Sequence, residues 1–352
     1  MEYYGFTLTP AREGQSHAQR YAELFSTVEI ADRSHFDGWF FAEHHGEASF
    51  SLLPSPNLVI AALSQRTRRL QLGNLVNLIP FHHPYRLAAE IRMLDTFTGG
   101  RLEVGFGRGQ VRTEQAAFGT DRSATVDMFD AGFDIIRRLL LGERIDYDTP
   151  WWKGSNAFVT PEPTQRPHPP FWLSAASDSS IEKAARLGMY CATALLSRKV
   201  SDTHMAEYRR HWDRCNPDRK GQGKFSITAD VAIGRTFDEA YAQVAHHFDK
   251  RKEHFSRSIT DRPVDNDETY RTHRPNYEAF AKSSIEDMLE NHLLVAGTVD
   301  QCIEQVTAIR NRGIDVVNLS FSANDPDFAR RSVELFGSEV IPAVEGLRAK
   351  AV

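Results

Sequence analysis

Gly38-Trp39-Phe40-Phe41-Ala42-Glu43-His44-His45-Gly46 is the stretch whose reading decides the fold. It is apolar and aromatic, then ends in one carboxylate and two imidazoles, which reads as a short strand delivering ionisable groups to the mouth of a buried core. Strand alternation sends neighbours to opposite sides, so if Phe40 and Ala42 point inward His44 does too, while Glu43 and His45 face the helix layer or the rim. An inward histidine at the carboxyl end of a strand is where a parallel barrel keeps its chemistry. Two histidines that merely cap a strand and bond loop carbonyls would look the same, and the segment alone leaves both readings open.

Working outward, strands are expected at Tyr3 to Leu8, Leu70 to Val76, Leu102 to Phe106, Phe171 to Ser174, Cys191 to Ala194, Phe225 to Ile233 and Ile314 to Leu319. Between them lie runs with apolar residues at helical spacing: His17 to Ser34, Leu58 to Ser64, Pro84 to Phe97, Thr125 to Leu141, Ser180 to Leu187, Asp202 to Arg214, Asp238 to Phe255 and Val299 to Arg310. About eight strands alternating with helices, with no shift in composition, predict a single (β/α)8 TIM barrel over residues 1–352. Two insertions interrupt it. Residues 145–170, rich in Pro, Trp and Gly, read as a hairpin and loop. Residues 257–282, polar and charged, read as a long excursion suited to a mobile lid.

The chain has 352 residues, 41% hydrophobic, with a formal net charge of -5 and a pI near 6.3. Acidic and basic residues are interspersed, so there is no basic stripe for nucleic acid and no polybasic anchor for a membrane; a small-molecule substrate is expected. Cys191, Cys215 and Cys302 are far apart without CxxC spacing, which argues against a disulfide framework and a structural zinc site. With neither a leader-like start nor a run long enough to span a bilayer, a cytoplasmic protein is expected.

Gly105-Phe106-Gly107-Arg108-Gly109-Gln110 imitates a dinucleotide fingerprint, but Gln110 takes the place of the third glycine and no helix is expected to start there. It offers instead a turn carrying Arg108, whose planar fork suits a phosphate or a carboxylate, or else pins a loop. Ser174 to Ser180 joins a strand to a helix beginning near Ser179, so hydroxyls and free N–H groups gather at a positive helix end; an anion site and simple N-capping both fit. Asp178 must then turn away. Leu75-Val76-Asn77-Leu78 ends a strand with an apolar run suited to the face of a flat heterocycle, or to core. The histidine pairs 44–45, 82–83 and 246–247 are adjacent in sequence and lack HxH or HxxxH spacing, which argues against a metal centre.

Taken together these pieces resemble the bacterial luciferase-like, flavin-dependent monooxygenases. The resemblance runs from Gly5-Phe6 through Trp39 to His45, Leu72-Gly73-Asn74-Leu75-Val76, His83-Pro84, Leu94 to Arg101 and Gly105 to Gly109, to Val295-Ala296-Gly297-Thr298. It implies a (β/α)8 barrel, usually dimeric and here expected as a homodimer, that takes reduced FMN from a separate flavin reductase and reacts it with O2 through a C4a-peroxyflavin to oxidise a small organic substrate. His44 matches the family's active-site histidine. Arg108, Gly109, Ala176, Ser177 and Ser180 fall where the family holds the FMN phosphate, and Leu75, Val76 and Asn77 where a strand-end bulge, often with a non-proline cis peptide, backs the isoalloxazine. The excursion at 257–282 falls where luciferase has a mobile loop. Gly107 stands where luciferase has a reactive cysteine and Ala176 where it has a glutamate, so light emission is not implied.

Two rivals follow from the same resemblance. An F420-dependent oxidoreductase of this fold would favour extra Lys and Arg at the mouth, and the loops show little such enrichment. A non-catalytic flavin-binding partner subunit could dispense with the histidine, which is retained.

Overall fold

The computed structural model describes residues 1–260, 275–276 and 278–347. Its strands, in chain order, are β1 (Glu2–Thr7), β2 (Gly38–Phe41), β3 (Gln71–Leu78), β4 (Leu102–Gly107), β5 (Ile145–Asp148), β6 (Lys153–Ala157), β7 (Phe171–Ser174), β8 (Tyr190–Ala192), β9 (Phe225–Ile233), β10 (Leu294–Gly297) and β11 (Val316–Ser320). Eight of them close a parallel ring in the order β1-β2-β3-β4-β7-β8-β9-β11 and back to β1, with helices on the outside. The expected (β/α)8 barrel is the fold. β5 and β6 pair antiparallel as the hairpin expected within 145–170.

The strands of the ring alternate as the sequence implied. On β2, Phe40 faces the barrel interior, where it stacks on Tyr4 at 4.8 Å and meets Trp172 edge-on. Trp39 and Phe41 point outward into the main core between barrel and helices. Each of these rings is at most 2% exposed, which stabilises the fold by roughly 2–3 kcal/mol per ring. One carboxylate joins the interior: Glu103 accepts from Tyr4 Oη at 2.7 Å and from Trp172 Nε1. Burial pushes its carboxyl pKa up despite these bonds and the nearby Lys224.

Three expectations need correction. A helix, Arg112–Ala117, does begin two residues after Gln110; it is too short to show an apolar stripe, which is why the pattern missed it. Leu294–Gly297 was passed over as a strand and pairs with the far half of β9, beside the ring. The helix expected to end at Phe255 continues to Thr260, so the excursion placed at 257–282 starts inside a helix; residues 261–274 lie outside the described residues. Among the described residues no helix is long and apolar enough to cross a membrane.

Candidate active site

The carboxyl ends of the strands open on a cavity of about 310 Å³. Its wall includes His44, Leu75, Val76, Arg108, Gly109, Ala176 and Ser180. Residues singled out from four separate stretches of sequence therefore meet at one place. Asn77 and Ser177 do not line it. Asn77 is fully buried on β3, and neither atom of its amide has a partner among the described residues. Ser177 caps the helix Asp178–Arg186 behind the wall.

Adjacent strands bring the anion-binding candidates together, since β4 pairs directly with β7. Arg108 follows β4, and the helix Asp178–Arg186 follows β7 with its amino end at the cavity. Here the hydroxyls are not idle. The Ala176 and Ser177 N–H groups both donate to Ser180 Oγ, at 3.1 and 3.0 Å, and the Ser180 N–H donates to Ser177 Oγ at 3.3 Å. Ser180 Oγ thus occupies the point on which two backbone donors converge, the geometry of an anion oxygen at a helix start. Asp178 turns away, lying 96% exposed and 3.3 Å from His204 Nε2. A second cation that the sequence reading missed, Lys183, lines the same end, paired with Asp130 and 4.9 Å above the Phe129 ring. Its only signal in the sequence was its place one turn after Ser180.

The middle of the cavity is apolar and shaped by a bulge. The register of β3 against β4 slips between Asn74 and Asn77, and the Leu75–Val76 peptide is cis. The bulge leans onto β4 where β4 has no side chains. A Cβ on Gly105 would lie 2.4 Å from the Asn74 carbonyl oxygen, and one on Gly107 would lie 2.4 Å from Val76 Cγ2. Both glycines are therefore required by close approach rather than by an unusual backbone conformation.

At the imidazole end, His44 Nδ1 is 3.0 Å from Glu114 Oε1, which also accepts from the His45 N–H at 2.8 Å. Glu114 belongs to the helix Arg112–Ala117, is 2% exposed, and was not recognised in the sequence. A carboxylate only accepts, so Nδ1 carries the proton of a neutral His44 and Nε2 keeps the lone pair. The Phe50 ring stands edge-on at 4.7 Å. Glu43, also on the wall but with its carboxylate covered, accepts from the Leu78 N–H at 3.0 Å, from His45 Nε2 at 2.9 Å and from His82 Nε2 at 2.9 Å. Burial alone would raise the Glu43 carboxyl, but the His45 and His82 bonds outweigh it and hold the pKa below its ordinary value. Burial likewise opposes charge on His82, yet Glu43 raises its pKa above the ordinary imidazole range.

A closed parallel barrel with its polar groups gathered in a cavity at the strand ends defines the class, an α/β-barrel enzyme. Residues 1–316 match the model of the luciferase-like monooxygenases, and the chain belongs to that family. It is 28% identical to 4-hydroxyprotoasukamycin monooxygenase of Streptomyces nodosus subsp. asukaensis over 92% of this chain and 87% of that one. It is 29% identical to the oxygenase component of the flavin-dependent trigonelline monooxygenase of Acinetobacter baylyi, over 56% and 55% of the two chains. The fold matches the oxygenating constituent of 3,6-diketocamphane monooxygenase from Pseudomonas putida, solved with FMN, with a TM-score of 0.79 and 18% identity over 100% of both chains.

Proposed function

We propose that this protein is the oxygenase half of a two-component monooxygenase that binds reduced FMN, delivered by a separate flavin reductase, and oxidises a small organic compound with O2. The observation that carries the reading is the layout of one cavity, with two cations and a helix amino end at one side, an apolar bulge in the middle and a carboxylate-held imidazole at the other. The fit to FMN rests on the donor set. A terminal phosphate finds Arg108, Lys183 and, by displacing Ser180 Oγ, the Ala176 and Ser177 N–H groups, and a flat ring finds Leu75 and Val76 over side-chain-free Gly107.

Bound reduced FMN supplies the two electrons and two protons that turn one atom of O2 into water while the other enters the substrate. The chain supplies the rest. Arg108 and the Asp178–Arg186 helix fix the phosphate; Leu75, Val76 and Phe50 keep water from the reacting edge. His44, oriented by Glu114, holds or takes a proton at Nε2. A homodimer of this chain, read as doubled mass in light scattering, would cover the exposed Leu58, Met93 and Phe97.

Mixing the protein and anaerobic reduced FMN with oxygenated buffer should yield a transient absorbing species distinct from reduced and oxidised FMN. Reoxidation at the rate of free FMN would count against the reading. Because free reduced FMN itself consumes O2, the discriminating readout is transfer of one labelled oxygen atom from O2 into an organic product, which neither F420-dependent hydride transfer nor a partner subunit that binds flavin without turnover would show. Arg108→Ala should weaken FMN binding by about 1.5–3 kcal/mol, the usual range for a charged hydrogen bond; an unchanged Kd removes Arg108 from the phosphate site.

A further inference from the structure

The cavity has a third cation that neither the phosphate site nor the imidazole uses. Arg251, from the helix Phe237–Thr260, reaches the wall on the side of β9. The ring order places β9 two strands beyond β7, with β1 across the barrel from β7. The wall there carries Thr228 of β9 and Asn276 together with apolar Phe6 on β1, Leu8 just after it, and Leu196. The Arg251 side chain is 19% exposed, and its Nη1 bonds Asp230, whose side chain is 9% exposed on β9. Asp230 is not part of the cavity wall, so the carboxylate stands behind and the guanidinium in front. The guanidinium carbon lies 5.5 Å from the Phe280 ring centroid.

A guanidinium tied at one nitrogen and held within cation–π reach of one ring is already oriented, so a ligand does not have to order it. Nη1 is committed to Asp230, and among the described residues the Nε–Nη2 edge of the fork has no bond of its own; that edge carries two parallel donors at the spacing a carboxylate accepts bidentately. The two carboxylates on the wall, Glu43 and Glu114, are each engaged by histidine. A substrate anion at Arg251 therefore meets a prepared donor, and the remainder of the molecule meets Phe6, Leu8 and Leu196.

We propose that Arg251 sets specificity, selecting substrates that join an apolar or aromatic body to a carboxylate; this rests on the oxygenase reading above. The test uses the full-length protein saturated with FMN, titrated by calorimetry with benzoate, phenylacetate and cyclohexanecarboxylate and with the matching primary amides. At least one acid should bind about tenfold or more tighter than its amide. Arg251→Met should remove that preference while leaving FMN and amide affinities in place, and Arg251→Lys should keep only part of it. Should Arg251→Met fail to fold with Asp230 left unpaired, the double variant Arg251→Met/Asp230→Asn removes both charges and should show the same loss. Amides binding as tightly as acids, no acid binding at all, or a folded Arg251→Met variant with the parent's preference would each overturn the assignment. Failure of the parent to bind reduced FMN under anaerobic conditions, seen before any acid is added, would instead sink the oxygenase reading.

Discussion

Glu43 and His44 are neighbours in the chain, yet they belong to different machines. The His44 side chain is 25% exposed and lines the cavity, whereas the Glu43 carboxylate is fully covered and gathers three donors. Each imidazole–carboxylate cluster borrows one residue from a distant stretch, Glu114 for His44 and His82 for Glu43. The period of two in an extended chain splits one motif into a reactive half and a structural half. His45 ties the halves together, donating its backbone N–H to Glu114 and its ring nitrogen to Glu43.

The division can be broken most sharply at His44. His44→Ala should lower kcat by about 10²- to 10⁴-fold, the range for a general acid or base, with FMN affinity and unfolding midpoint near the parent's; unchanged turnover would remove His44 from the chemistry. Glu114→Gln should act in the same direction but more weakly, by about tenfold in kcat with little change in KM, because it disturbs orientation and leaves the imidazole in place. Glu43→Ala should do the reverse, costing about 2–4 kcal/mol of stability by leaving buried donors without an acceptor. Urea unfolding reads this, and a variant as stable as the parent would show that the cluster holds nothing together.

The smallest effect is a pH dependence. The folded Glu43 pKa lies below the ordinary 4.5, so its contribution is present above 4.5 and is lost as pH falls through the lower folded value. The folded His82 pKa lies above 6.5, so its contribution is complete below 6.5 and is lost as pH rises through the higher folded value. The pair therefore stabilises most between about 4.5 and 6.5. His82→Gln should flatten the alkaline decline, measured as the difference in unfolding free energy from the parent across pH 5 to 9. A constant difference would mean that His82 does not titrate against Glu43.

How much of this was legible follows from periodicity. The barrel strands and the inward course of Phe40, Ala42 and His44 were readable because alternation over a few residues fixes sidedness. The adjacency of Arg108 and the Ser177–Ser180 turn was readable because consecutive barrel strands are neighbours. Glu114 was not, since a six-residue helix buries too little to show a stripe and its carboxylate meets His44 across 70 positions. Lys183 and Arg251 escaped for another reason. A cation on a helix reads as solvated until the tertiary structure shows which face is turned to a cavity.

Gly107 and Val76 form a lock with only one order of opening. Any side chain at 107 starts from a Cβ 2.4 Å from Val76 Cγ2, an overlap that packed interiors do not absorb without displacement. A lineage that places a cysteine or any larger group at 107 must first trim residue 76 or shift the bulge, while Val76 can be trimmed with Gly107 still in place. The constraint therefore runs one way, and protein engineers altering this rim will find a larger residue at 107 permitted only after residue 76 is trimmed or the bulge shifted.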